Sequence, residues 1–186
     1  SPKIGSVDPF MLLHHAIVKV PRNVPVTQAG VGAHPHRGFS PVTFIFKGGV
    51  HHRDSRGNDH VVYEGGIQWM NAGMGIVHSE RPPADIFERG GIQELIQLWV
   101  NTPAAHKMDQ PLYFPLKAED TPEIVTDNGK VRIRIHSGEL DGKKSPVPTF
   151  TPVNTFTAEM QAGGMYFFRI PEAHNAFIYL LDGKVE

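Results

Sequence analysis

The chain has 186 residues, of which 40% are hydrophobic and 20% are charged, an ordinary balance for a globular protein with one large domain or two small ones. Its formal net charge of -1 gives no electrostatic attraction to nucleic acids or membranes, so neither is expected as a partner. The absence of cysteine excludes disulfides and thiolate metal sites and favours a reducing compartment. A cytoplasmic location is therefore expected, with the nucleus left open.

Glycine and proline divide the first hundred residues into short segments. Residues 1–30 are expected to be irregular, because Pro21, Pro25 and Gly30 interrupt any helix there. Between residues 31 and 100, short apolar or β-branched runs alternate with turn signals, and no run has a sustained helical period. This spacing predicts an all-β fold, built as an antiparallel sandwich or barrel.

The second half of the chain is also rich in predicted strands, which follow a polar segment at 103–122 that we interpret as a linker. The Asn128-Gly129 step predicts a hairpin leading into a strand at 131–136. Three further strands are predicted, at 154–160, 166–170 and 176–181. Asp182-Gly183 has the composition of a turn, so we expect 184–186 to begin a returning strand and the second domain to be incomplete. The alternative is a short sheet whose edge a partner covers.

Two pairs of coordinating side chains carry the strongest chemical signal. His34 and His36 are separated by one residue, and so are His78 and Glu80. Residues i and i+2 of a strand point to the same face, so each pair can present two ligands together. Two such strands side by side would combine three imidazoles with one carboxylate. This donor set predicts a divalent transition-metal site with open coordination positions, suited to Fe(II), Mn, Ni, Co, Cu or Zn.

Two features of the neighbourhood favour this site. The glycine-rich turn at 71–75 lets the chain reverse before the second pair. Val42, Phe44 and Phe46 share the parity of the first pair, so without an intervening bulge they are expected to line the same interior and keep it dry. Both tryptophans are expected in the core rather than as platforms for a substrate.

The other histidines of the chain, which has eleven in all, fit the site less well. His51 and His52 are adjacent and point to opposite faces of a strand, so both cannot ligate, and one is expected to face solvent. One member of His14-His15 could approach the site as a pocket residue. The remaining histidines lack a partner at ligand spacing and are interpreted as non-ligands: His60, His106, His136 and His174.

A nearly continuous series of motifs between about residues 8 and 102 matches one known family. The motifs are Asp8-Pro9-Phe10, His34-Pro35-His36-Arg37-Gly38-Phe39, Gln68-Trp69-Met70, Ala72-Gly73-Met74-Gly75-Ile76-Val77-His78-Ser79-Glu80 and Leu98-Trp99-Val100-Asn101. With them the chain resembles the pirins, members of the cupin superfamily. The resemblance implies a bicupin, in which two antiparallel, jelly-roll-like β-barrels face each other and the N-terminal one holds a metal. It implies a metal-binding cupin domain at 1–102, a linker at 103–122 and a partial C-terminal cupin at 123–186.

The family's ligand pattern, His-x-His followed by His-x-Glu, falls on His34, His36, His78 and Glu80, and Fe(II) is the metal expected first. One departure lies beside it. After His-Pro-His-Arg-Gly-Phe the family usually has Glu, whereas this chain has Ser40. A second carboxylate near the mouth of the site is lost, so a change in the polarity of the pocket or in the hydrogen bonding behind the ligands is expected.

The resemblance implies two activities of different kinds. Some pirins resemble quercetin 2,3-dioxygenases, which open a flavonol ring with O2, and Glu80 would then be the fourth ligand or the general base for the substrate hydroxyl. Others are metal-dependent regulators that bind a partner protein, including transcription co-regulators. The enzyme, with a small aromatic substrate, is preferred because no charged or aromatic surface motif marks a protein partner. A metal with a purely structural role is the third alternative.

Overall fold

The computed structural model describes residues 7–22, 24–126 and 129–185. Its strands are β1 (Phe10–Val20), β2 (Val31–His36), β3 (Phe39–Lys47), β4 (Gly49–Asp54), β5 (Asp59–Tyr63), β6 (Ile67–Asn71), β7 (Ile76–Arg81), β8 (Gly91–Asn101), β9 (Leu112–Leu116), β10 (Glu123–Thr126), β11 (Val131–Ser137), β12 (Glu139–Leu140), β13 (Lys143–Lys144) and β14 (Thr155–Met160). The one α-helix in these ranges is α1 (Ala84–Arg89), and short 3-10 turns lie at Val26–Gln28, Ala104–His106 and Ala118–Asp120. Within the same ranges, the structure contains no helix of the length and hydropathy that a membrane span requires.

The strands pair antiparallel, which confirms the predicted all-β class. A five-stranded sheet, here called the long sheet, has the order β1-β8-β3-β6-β9. A four-stranded sheet, the ligand sheet, has the order β2-β7-β4-β5. A three-stranded sheet β10-β11-β14 and a small β12-β13 ribbon follow. Hydrogen bonds of the described residues leave these as separate sheets, so their closure into two barrels stays a prediction.

The first strand corrects the expectation of an irregular beginning. β1 runs for 11 residues and pairs with β8 along almost its whole length, from Phe10 opposite Val100 to Val20 opposite Gly91. The prediction was wrong because Pro21 comes after the last residue of the strand and ends it without interrupting it.

The segment 103–122, expected to be a linker, contributes a strand to the long sheet. β9 lies within it and pairs with β6, so that Leu116 is opposite Ile67 and Leu112 is opposite Asn71. Leu116 is buried in the same core as the residues of β6. The boundaries of the two domains stay a prediction, but the first sheet is not complete before residue 116.

The C-terminal strands are only partly as predicted. β10 and β11 form the expected hairpin, although Asn128 of its turn lies outside the described residues. β14 was also expected, but 166–170 and 176–181 form no strand, and neither do 184–185 of the expected returning strand, whose last residue is not described. Phe167 and Ile178 are each 80% exposed. An apolar run needs a neighbouring strand to become part of a sheet, and these runs pair with none of the described strands.

The main core lies on one face of the long sheet. There Val42, Ile67 and Leu98 pack with Val147 and Val153, which belong to the loop that precedes β14. The opposite face of the same sheet is turned towards the ligand sheet. Because successive residues of a strand alternate between faces, the same three central strands supply both surfaces.

Candidate metal centre

Three histidines converge between β2 and β7. Pairing of the two strands places His34 directly opposite His78, and a bulge after Val31 adjusts the register. The Nε2 atom of His34 is 3.0 Å from Nε2 of His36 and 3.1 Å from Nε2 of His78. Among the described residues, these three form the one group whose potential ligand atoms all lie within 4.8 Å of one another.

The hydrogens of these imidazoles are arranged so that nitrogen lone pairs are available to a metal cation. The Nδ1 atom of His34 lies 2.8 Å from the carbonyl oxygen of Gly32, which can only accept a hydrogen bond, so Nδ1 carries a hydrogen and, in the neutral ring, Nε2 presents a lone pair. Burial, and secondarily the neighbouring His34, lowers the pKa of His36 to about 4 and that of His78 to about 3. Both rings are therefore neutral near pH 7, which is the form of imidazole that binds a metal.

Glu80 lies beside this group without belonging to it. Its Oε1 accepts hydrogen bonds from Thr43 Oγ1 at 3.0 Å and from Gln68 Nε2, and its Oε2 accepts from Gln97 Nε2 at 3.2 Å. The carboxylate is thus held by three side chains of the long sheet, across the gap between the two sheets. Burial raises the pKa of Glu80 above that of an exposed glutamate, so it takes up a proton more readily.

The predicted apolar lining of the site is wrong. Thr43 donates to Glu80, so its neighbours Val42 and Phe44 point to the opposite face, where they belong to the main core. The chain turns between β2 and β3 at Gly38, whose φ of 75° is a left-handed conformation that favours glycine. Parity counted from His36 through this turn is therefore not preserved, and the face turned towards the ligand sheet presents Thr43 to Glu80 instead.

Ser40 also lies on the face away from the histidines. It is buried, and its hydroxyl donates to Asn71 Oδ1 at a long distance of 3.4 Å. The side chain of Thr102 reaches the same oxygen, while Asn71 Nδ2 has no hydrogen-bond partner in the part of the chain that the structure describes. Because β3 pairs with β8 without interruption from Phe39 to Ile45, Ser40 and Thr43 point to opposite faces. The expected effect on the mouth of the site is thus wrong, since Ser40 is part of the core face.

A cavity of about 540 Å³ opens beside the histidine group. His36, Arg37, Phe39, Ile76 and Trp99 are among the residues that line it. The rings of Phe39 and Trp99 are 4.5 Å apart and tilted by 37°, and His36 contacts both rings edge-on. Trp99 is therefore a wall of the cavity, contrary to the expectation of a core residue.

Trp69, by contrast, is a core residue as predicted, and it is only 3% exposed. It lies on β6 two residues after Ile67 and packs in the same cluster of buried side chains. The two tryptophans therefore differ in the face of the long sheet that they occupy, which composition does not reveal.

His52 and Asp54 are buried polar residues that the sequence reasoning did not connect to the site. On β4, which pairs with β7, Asp54 is opposite His78 and His52 is opposite Glu80. His52 Nδ1 is 3.3 Å from Nδ1 of His78, and His52 Nε2 is 2.9 Å from Asp54 Oδ2. The signal for this arrangement is His52-x-Asp54, an i, i+2 pair on a strand, like the two ligand pairs. As expected of adjacent residues, His51 points the other way and contacts Asp59 at the surface.

Other histidines that the structure describes do not join the group, and His15, of the pair from which one member was expected to approach the site, lies elsewhere. His15 contacts Glu94 and Tyr179 at the edge strand β1. His106 pairs with Asp109 near the surface, and His136 is buried beside Phe44 on the core face of the long sheet. Within the described residues, none of them joins the three ligating candidates.

Comparison with known proteins assigns the chain to a family. The family model described as Pirin matches residues 1–100. A pirin-like protein of Solanum lycopersicum is 38% identical over 98% of this chain and 58% of its own length, and human Pirin is 35% identical over 99% of this chain and 59% of its own. The chain belongs to the pirin family. It spans less than two thirds of the length of these relatives.

One solved structure that is similar to this chain is named as an enzyme. The crystal structure of a quercetin 2,3-dioxygenase from Acinetobacter baumannii is 38% identical in sequence, with a TM-score of 0.75, covering 82% of this chain and 52% of that one. The chain is thus a β-rich protein of the pirin family, with three converging histidines that can hold a divalent metal. Such a group, next to a buried carboxylate and an aromatic cavity, can bind a Lewis acid and take a proton from a substrate.

Proposed function

We propose that this protein is a metal-dependent dioxygenase that opens the ring of a flavonol such as quercetin with O2. The observation that carries the proposal is the convergence of three Nε2 atoms beside a cavity walled by Phe39 and Trp99. His34, His36 and His78 would hold one divalent metal, with Fe(II) as the first candidate. The bound metal supplies a Lewis acid for the flavonol hydroxyl and redox chemistry with O2.

The side chains around the metal would have separate roles in the reaction. Glu80 is the proposed fourth ligand and, when it is released, the general base for the flavonol hydroxyl, because its raised pKa makes it a stronger base than an exposed carboxylate. Thr43, Gln68 and Gln97 hold it in place. Phe39 and Trp99 offer apolar faces to a planar aromatic substrate.

A positively charged side chain also lines the cavity. Arg37 lines it, and its guanidinium lies 3.2 Å from the sulfur of Met108, with no acidic partner among the described residues. A guanidinium at this position favours a substrate that carries negative charge, such as a deprotonated flavonol. The substrate class proposed is therefore a planar aromatic enol that ionises on binding.

The test is turnover of quercetin by protein loaded separately with Fe(II), Mn, Co, Ni, Cu or Zn, followed as loss of flavonol absorbance in the presence of O2. At least one metal is expected to give turnover, and His78→Ala is expected to reduce it to background. His51→Ala is the matched control, because His51 is on the neighbouring strand and contacts Asp59 at the surface. Stoichiometric metal without turnover for any of the six would contradict the enzyme and favour a regulatory protein.

A further inference from the structure

A buried chain of polar atoms continues from the histidine group into β4. His78 Nδ1 contacts His52 Nδ1 at 3.3 Å, and His52 Nε2 contacts Asp54 Oδ2 at 2.9 Å. The side chains of His52 and Asp54 are both completely shielded from solvent. The proposed reaction uses neither residue.

The direction of each hydrogen bond in this series of polar atoms follows from the carboxylate of Asp54 at its far end. A carboxylate can only accept, so Nε2 of His52 carries the hydrogen that it donates to Asp54. A neutral imidazole then has a bare Nδ1, so the hydrogen between the two rings belongs to Nδ1 of His78. That leaves Nε2 of His78 with its lone pair, and this is the atom that lies 3.1 Å from Nε2 of His34.

We propose that Asp54 and His52 act as positioning residues that hold His78 in the Nδ1-protonated tautomer, so that its Nε2 is permanently available to a metal. This is a lengthened form of the carboxylate–histidine–metal arrangement, in which an outer carboxylate orients a ligating imidazole. The inference rests on the metal site of the proposed function but not on its flavonol reaction.

The outer end of the chain is fixed by the hairpin between β4 and β5. Asp54 Oδ1 accepts from the backbone amides of Arg56 and Asn58, at 2.9 and 3.1 Å, and Oδ2 also accepts from Asn58 Nδ2 at 2.8 Å. The carboxylate therefore cannot rotate without losing these contacts. It is a rigid acceptor that does not adapt to a changed tautomer of His52.

The ring of His52, between Asp54 and His78, is held by an aromatic neighbour. The ring of Tyr113 stacks on His52 with centroids 3.8 Å apart and planes within 8°. A flip of the His52 ring about its own axis would exchange nitrogen for carbon at both hydrogen bonds. With both ends of the ring bonded and one face covered, a single orientation is favoured.

The decisive variant is Asp54→Asn, which keeps the shape of the side chain. The amide oxygen can still accept from the backbone amides of the hairpin, so its NH2 group replaces Oδ2 and is turned towards His52, while Asn58 turns its side-chain oxygen to accept from the same NH2 group. His52 Nε2 must then accept, its Nδ1 becomes a donor, and His78 must carry its hydrogen on Nε2, where it blocks the metal. Outer-sphere changes of this kind typically reduce metal affinity by about 10–100-fold.

Two measurements test this result. Nitrogen-15 NMR of the metal-free protein identifies the tautomer of His78, whose signals are assigned by their loss from His78→Gln. Wild type is expected to show the Nδ1-protonated form and Asp54→Asn the Nε2-protonated form, with the fall in affinity for Zn measured by competition with a chelator. The control is Asp59→Asn, a carboxylate of the same hairpin that contacts His51 and Arg53 at the surface, and it is expected to change neither reading.

If Asp54→Asn does not fold, His52→Phe gives the answer, because it keeps an aromatic ring against Tyr113 and leaves the hairpin contacts of Asp54 in place. It is expected to yield a mixture of His78 tautomers and weaker metal binding. An unchanged tautomer, or an inverted tautomer with unchanged affinity, overturns the proposal. If wild type binds no metal at all, the proposed function fails, and the tautomer of His78 in the metal-free protein still decides the positioning role.

Discussion

The two faces of the long sheet have different roles, although their side chains alternate along the same strands. On β6, Ile67 is fully buried in the main core, while the next residue, Gln68, donates to Glu80. On β8, Leu98 lies in the core and its neighbour Gln97 donates to the same carboxylate. The core face is therefore used for packing, while the other face combines apolar contacts, such as those of Ile45 and Met70, with the donors that hold a buried carboxyl group. A shift of one residue in any of these strands would exchange the two functions.

The largest effect is expected for Ile67→Ala, which tests whether the core face is independent of the site face. Ile67 has no exposed surface, so its truncation removes buried apolar area and leaves a cavity, at an expected cost of about 2–5 kcal/mol in the free energy of unfolding. Metal affinity of the folded protein is expected to stay within about twofold, because the side chain points away from the histidines. Urea denaturation and a metal competition assay measure the two effects. A large loss of affinity in the folded variant would show that the faces are not independent.

The adjacent variant Gln68→Met addresses the site face. It removes one donor to Glu80 and the acceptor of the Tyr113 hydroxyl, which is 3.1 Å from Gln68 Oε1. Leaving buried polar groups without a partner typically costs about 1–3 kcal/mol. In contrast to Ile67→Ala, this variant is also expected to raise the pKa of Glu80 further, which a carbon-13 NMR titration of the carboxyl group would measure. An unchanged pKa would mean that Gln68 does not orient the carboxylate.

A pH titration tests the core face through His136, a buried histidine of β11 that contacts Phe44 on that face. Among the described residues, His136 has one hydrogen bond, to Thr157, and its Nδ1 has no partner. Burial lowers its pKa from 6.5 to about 3. Since the unfolded state takes up the proton first, the stability from neutral His136 is complete above pH 6.5 and is lost as pH falls towards 3. At about pH 5 the loss is expected to be about 2 kcal/mol.

The variant His136→Gln isolates this contribution, because glutamine can still bond the Thr157 hydroxyl but takes up no proton. Urea denaturation at about pH 7 and about pH 5 is expected to show a smaller loss of stability in the variant than in wild type. Equal losses in both proteins would contradict the assignment to His136. His106→Gln, at a half-exposed histidine paired with Asp109, serves as the control.

The smallest effect is expected for Ser40→Ala. The hydroxyl makes one long hydrogen bond, to Asn71, on the core face of β3. Its removal is expected to cost at most about 1 kcal/mol and to leave metal affinity and turnover unchanged. Thermal unfolding and the quercetin assay measure these quantities. A clear change in turnover would restore the view that position 40 tunes the pocket.

The fold was predictable at the level of class, and less so at the level of individual strands. Alternating short apolar runs correctly indicated antiparallel sheets, because the two-residue period of a half-buried strand is local. The long strand β1 was missed, since the prolines that suggested irregularity mark its end. The runs at 166–170 and 176–181 have strand composition but pair with no strand of the described ranges, and pairing is a property of the tertiary structure.

For the candidate site, the sequence by itself determined which histidines could meet. The i, i+2 spacing of His34 and His36 and of His78 and Glu80 selects common faces, and the structure brings the three imidazoles together. Only the tertiary structure decided what surrounds them. The turn at Gly38 reverses the parity of β3, so that Thr43 and not Val42 faces the site. Register between β4 and β7 places His52 and Asp54 behind His78, because contacts between strands depend on alignment across the sheet and not on spacing along the chain.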